Sequence, residues 1–109
     1  MVLPVFYRVI VGEVPTVADF LSHLAKGRTL RNPTPENRRM WAGVSVYDST
    51  EAARTAAHEF PRLGRFIAAV LIEDDSAIRW ERTGATPGHH TLWGDPAMML
   101  ATVVRVERV

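Results

Sequence analysis

Apolar residues run along the chain in two rhythms, and each change of rhythm marks an element. From Val2 to Val11 almost every position is apolar on both alternating faces, with Arg8 as the one strong charge. Such a run is expected of a strand buried in the middle of a sheet. After Thr16 the spacing turns helical through Val17, Phe20, Leu21 and Leu24. Asp19 follows Thr16 as in a capping box and Gly27 offers a stop, so the spacing predicts a helix over 17–26.

Arg28 to Pro35 reads as a mobile loop rich in Arg, Asn and Pro, after which Thr34-Pro35 starts a short helix ending near Trp41. Gly43 to Tyr47 alternates small or polar with apolar residues, as a strand does, and Asp48 or Ser49 then caps an alanine-rich helix over 51–59 that Pro61 ends. Phe66 to Ile72 is a second near-continuous apolar strand. Ile78 to Glu81 forms a shorter one after the acidic turn Glu73-Asp74-Asp75, and Thr83 to Pro87 is a loop. Gly88 to Asp95 reads as a further loop able to fold over a strand end. Asp95-Pro96 opens a turn or two of helix before a final strand over 102–109.

The order βα(α)βαββ(α)β predicts an α+β fold: one small domain over 1–109, with a mixed, mostly antiparallel sheet packed by two main helices. The expected core is Val5, Val9, Phe66, Ile67, Val70, Val104 and Val106, covered by Phe20, Leu21 and Leu24 of the first helix.

Composition narrows the function. A chain of 109 residues that is 47% apolar can bury one core unaided. It has no cysteine, which excludes disulfides, a thiol nucleophile and cysteine-held metals. No apolar run nears the roughly 18 residues of a membrane span, and Arg8 interrupts the N-terminal stretch, so neither signal peptide nor membrane anchor is expected and a cytoplasmic location is the default. The net charge of +1 argues against non-specific nucleic-acid binding. Arg28, Arg31, Arg38 and Arg39 nevertheless form a local patch suited to an acidic protein partner. Of the 13 basic residues only Lys26 is lysine; arginine grips phosphates and carboxylates bidentately, although a GC-rich genome gives the same bias.

Three groups of residues carry chemistry. Arg8 shares a strand face with Phe6 and Ile10, and a buried guanidinium needs an anion, either a ligand phosphate or an internal carboxylate such as Glu81 or Glu107. Ser45, Tyr47 and Ser49 point to one side if the strand persists, forming a polar floor for a flat ligand, unless Ser49 caps the next helix and Tyr47 merely packs. Gly88-His-His-Thr-Leu-Trp-Gly-Asp95 gathers a base in His89 or His90, a hydroxyl in Thr91, a stacking ring in Trp93 and a carboxylate in Asp95, with helix capping as the competing role of Asp95. No spacing suits a metal, and there is no nucleophile elbow, phosphate-binding loop or dinucleotide turn.

The phrases Pro15-Thr-x-x-Asp19-Phe-x-Ser22, Gly43-Val-Ser-Val-Tyr47, Phe60-Pro-x-Leu-Gly64 and Gly88 to Pro96 resemble those of a family of short, uncharacterised bacterial proteins, over nearly the whole chain. The layout is also similar to the ADP-ribosyltransferase-like group, which includes RES-type toxins and RNA 2′-phosphotransferases: an early strand with Tyr-Arg, a middle Gly-x-Ser-x-Tyr strand running into a helix, and a late polar or acidic residue. That resemblance implies an NAD-dependent ADP-ribosyltransferase or NAD-cleaving domain, in some settings a toxin-like effector. On that resemblance NAD would be the substrate, with its pyrophosphate or ribose on Arg8, nicotinamide framed by Ser45 and Tyr47, and Asp95 steadying the ribosyl cation; the clusters read above add Ser49, His89, Thr91 and Trp93 as binding residues and His90 as a second catalytic group. The chain departs from the group in having no Glu-x-Glu or Gln-x-Glu before the last strand. The competing class is a binding module that holds a nucleotide or phosphate without chemistry, or docks a protein partner in an immunity or antitoxin role.

Overall fold

A computed structural model describes residues 3–109, so the expected strand start at Val2 lies outside the described residues. The chain forms a six-stranded sheet with β1 (Val5–Ile10), β2 (Val44–Tyr47), β3 (Phe66–Leu71), β4 (Arg79–Arg82), β5 (His89–Trp93) and β6 (Val103–Arg108). The strand order is β4-β5-β2-β1-β3-β6, and every pairing is antiparallel, so the α+β class holds and the sheet carries no parallel pair. The helices are α1 (Pro35–Trp41), α2 (Thr50–Glu59) and α3 (Pro96–Ala101). No helix among the described residues is long and apolar enough to cross a membrane.

The two faces of the sheet bury different side chains. On one, α2 lays Ala53, Ala56 and Ala57 against Val9, Tyr47 and Ile67; small alanines let the helix axis approach the sheet closely. On the other, Phe6, Val44, Val46, Val70 and Leu92 meet Phe20 and Met99, which arrive from the 17–20 turn and from α3. Ser49 caps α2 by accepting from the Ala52 N–H, and Asp95 caps α3 by accepting from the Ala97 N–H.

Three expectations fail for physical reasons. The expected helix over 17–26 is a 3₁₀ turn, Val17–Phe20, because Leu21 is extended (φ −77°, ψ 131°) and the chain continues in loose turns. Its capping signal is real, since the Asp19 carboxylate accepts from the Thr16 N–H at 2.7 Å. Only Phe20 is fully buried, while Leu24 is 60% exposed. Val104, expected in the core, is 63% exposed on the edge strand β6. The segment Gly88 to Asp95, expected as a loop, instead holds strand β5 over His89–Trp93, inserted between β2 and β4.

Candidate functional site

The central seam of the sheet opens. β1 and β2 are in register at Tyr7–Tyr47 alone, whereas β1 stays paired with β3 along its whole length. At the opening the Arg8 guanidinium donates through Nη1 to the Ser45 carbonyl at 2.8 Å and through Nε to the Asp19 carbonyl at 3.1 Å. Neither Glu81 nor Glu107 pairs with it. Glu81 binds Arg39 at 2.8 Å and Glu107 binds Arg54 at 2.7 Å. The remaining guanidinium N–H groups have no protein acceptor among the described residues, and burial lowers the Arg8 pKa from its usual value against the opposing pull of Asp19 and Tyr47.

This opening belongs to a cleft of about 1070 Å³, just above the range of roughly 300–1,000 Å³ common for ligand pockets. Arg8, Ser45, Tyr47, His89 and Thr91 line it together. The register explains why: Tyr47 faces His89 and Ser45 faces Thr91 across the β2–β5 ladder, so the four share one face of the sheet. Gly43 permits the close approach, since a Cβ there would lie 2.8 Å from the Leu92 carbonyl oxygen.

Pleating splits the Gly88 to Asp95 cluster. His90 points to the other face, buried against Phe6 and Trp80, with its Nδ1 bound to the Gly88 carbonyl at 3.0 Å. Trp93 donates its indole N–H to the Arg39 carbonyl at 2.7 Å and carries the Arg39 guanidinium over its ring at 4.8 Å. Asp95 and Ser49 serve as helix caps. None of His90, Trp93, Asp95 and Ser49 lines the cleft. The expected catalytic pair Asp95 and His90 is therefore not assembled there.

His89 is held in a defined orientation. Its Nδ1 lies 2.9 Å from the Thr83 carbonyl, which can only accept, so Nδ1 carries the proton and Nε2 of the neutral ring is the free acceptor. The Thr83 hydroxyl in turn lies 2.6 Å from the Thr91 hydroxyl. Tyr47 meets the His89 ring edge-on at 5.5 Å between centroids. Burial raises the Tyr47 pKa, Arg8 opposes this and Glu59 adds to it.

The opposite wall was not legible in advance. It comes from the irregular segment after Phe20 and from α1: Ser22, His23, Lys26, Arg28 and Trp41 line the cleft. The Leu24 N–H bonds the Trp41 carbonyl at 3.2 Å and the Trp41 indole N–H bonds the Arg28 carbonyl at 3.0 Å, tying the two pieces together. Arg8, Lys26, Arg28 and Arg62 face the cleft, against Glu59 as its lining carboxylate, so its field is positive. Of the expected arginine patch, Arg28 belongs to this wall, while Arg39 is tied to Glu36 and Glu81, whose hydrogen bonds raise its pKa. Among the described residues no group of three or more His, Asp or Glu side chains is arranged to hold a metal ion.

Comparisons with protein-family models, with curated proteins and with solved structures give no match.

Proposed function

We propose that the cleft binds NAD or a closely related dinucleotide, and that the protein is an ADP-ribosyltransferase-like or NAD-cleaving domain working in the cytoplasm. The observation that carries this reading is the convergence of Arg8, Ser45, Tyr47, His89 and Thr91, from three strands distant in sequence, on one cationic cleft. A ligand phosphate suits the unused N–H groups of Arg8, and the Tyr47 ring offers a flat partner for nicotinamide.

In the reaction the bond between the nicotinamide nitrogen and ribose C1 breaks, and nicotinamide leaves with the bonding electrons. Water or an acceptor nucleophile bonds to C1 and gives its proton to His89 Nε2, whose other nitrogen is anchored by Thr83. Positive charge building on the ribose meets Glu59, the carboxylate that lines the cleft. The test is incubation with NAD followed by mass analysis. Free nicotinamide with ADP-ribose, or ADP-ribose attached to protein or RNA, is the expected outcome; intact NAD after prolonged incubation counts against turnover.

A second reading is favoured by one observation, the position of Asp95 as a helix cap outside the cleft. With the late carboxylate absent, the same pocket would hold a nucleotide without chemistry. Binding of NAD without cleavage distinguishes this reading from the first.

A further inference from the structure

The wall facing Ser45 and His89 has no role in the reaction just described, yet it is the most basic part of the cleft. Lys26 and Arg28 stand on it with His23, and Arg8 lines the same cleft; burial, and then Arg28, Lys26 and Arg8, lower the His23 pKa. Arg28 Nη1 lies 3.0 Å from His23 Nδ1. A guanidinium only donates, so His23 accepts there and is neutral, with its proton on Nε2. The His23 ring stacks on Trp41 at 4.2 Å with 24° between planes, and both rings line the cleft.

No carboxylate makes an ion pair with Arg8, Lys26 or Arg28 among the described residues. Cations that line one cleft without an ion-paired carboxylate, next to a flat aromatic stack, match a ligand that joins two phosphates to a ring base.

We infer that Arg8, Lys26 and Arg28 form a diphosphate subsite and that the His23–Trp41 stack is the platform for the attached base, so that the ligand class is a nucleoside diphosphate or a dinucleotide built on one. The inference rests on the cleft being the ligand site and adds which wall holds which part. The Ser45–His89 side then receives the group beyond the diphosphate, and Arg28 is a ligand contact, not part of a protein-docking patch. Three cations on one cleft favour a ligand that carries two phosphates over one that carries a single phosphate.

The test is calorimetric titration of the full chain with ADP, adenosine and inorganic pyrophosphate, in the wild type and in Arg28→Ala, Lys26→Ala and Trp41→Leu variants, each checked by thermal melting. ADP and pyrophosphate are expected to bind with affinity falling as salt rises, and adenosine about tenfold or more weaker than ADP. Arg28→Ala and Lys26→Ala should each weaken ADP by about tenfold. Trp41→Leu should weaken ADP while leaving pyrophosphate unchanged. Adenosine binding as tightly as ADP, ADP unaffected by Arg28→Ala and Lys26→Ala, or no binding of ADP and pyrophosphate would overturn the subsite. So would displacement of ADP by a glutamate-rich peptide at matched charge, which would return the wall to a protein partner. NAD bound but uncleaved would remove the catalytic reading and keep the subsite. NAD cleaved with ADP affinity untouched by the wall variants would do the reverse.

Discussion

Arg8 donates to the Ser45 carbonyl across the one place where the two central strands part company. The same guanidinium reaches the Asp19 carbonyl, so a single side chain holds β1, β2 and the 17–20 turn together at the cleft floor. Removing it leaves two carbonyls without their donor, and each lost bond to a charged group is worth roughly 1.5–3 kcal/mol. With relief of the buried guanidinium's desolvation offsetting part of that loss, Arg8→Ala should destabilise the fold by about 2–4 kcal/mol in urea unfolding. Arg8→Lys should not restore it, since one ammonium on a flexible stem cannot reproduce the fork that spans both carbonyls. Equal stability of Arg8→Lys and the wild type would show that the bridge is incidental.

Asp95 tests the division between scaffold and site. As the cap of α3 it should tolerate Asp95→Asn, because asparagine caps as well, while Asp95→Ala should cost about 1 kcal/mol. Neither change should alter NAD binding or turnover. A large drop in turnover for Asp95→Asn at unchanged stability would restore the catalytic role implied by the sequence.

His23 makes stability depend on pH in a defined direction. Burial and the surrounding Arg28, Lys26 and Arg8 hold its pKa below the ordinary value of 6.5. Between that lowered value and 6.5 the unfolded chain binds more protons than the folded one, so stability falls as pH drops through this window and levels off below it. Comparing urea midpoints of the wild type and His23→Gln across pH 7 to 5 isolates the contribution, with the variant expected to show the shallower slope. Identical slopes would mean that His23 titrates alike in both states.

The strands legible in the sequence were those with unbroken apolar patterns, β1 and β3 above all, and α2 announced itself through Ser49 and its alanines. β5 was hidden because His89, His90 and Thr91 interrupt the apolar rhythm between glycines that read as turn signals; only its neighbours β2 and β4 make it a strand. As a loop the segment would keep these side chains together, whereas as a strand its pleat sends them to opposite faces. Ser45 and Tyr47 could be placed together by alternation along a strand, whereas alternation sets Arg8 on the Phe6 face and only the opening between β1 and β2 brings its guanidinium to them. His23 and Trp41 could not, since an irregular segment and a two-turn helix bring them together and no local period encodes that contact. The 17–26 segment shows the limit of helical spacing: Phe20 buries at 1% exposure and satisfies the core, and Leu24 has nothing left to cover.

Gly64 links the end of α2 to β3 against the last residue of β1. Its φ of +139° is one that side-chain-bearing residues avoid, and a Cβ there would fall on the Ile10 carbonyl. Gly64→Ala should destabilise by about 2 kcal/mol or more, seen as a lower urea midpoint with little change in slope. A neutral effect would mean that β1 and β3 can shift apart without loss.

The central claim is that one cleft, formed where β1 and β2 separate, is the nucleotide site. Its most direct test is a nitrogen-resolved NMR titration of the full chain with NAD. The account predicts saturable shifts at the Ser45, Tyr47, His89 and Thr91 amides and at the Trp41 indole N–H, with Asp95, His90 and the edge strand β6 unmoved. Shifts confined to Arg31, Arg38 or β6, or none at saturating NAD, would contradict it.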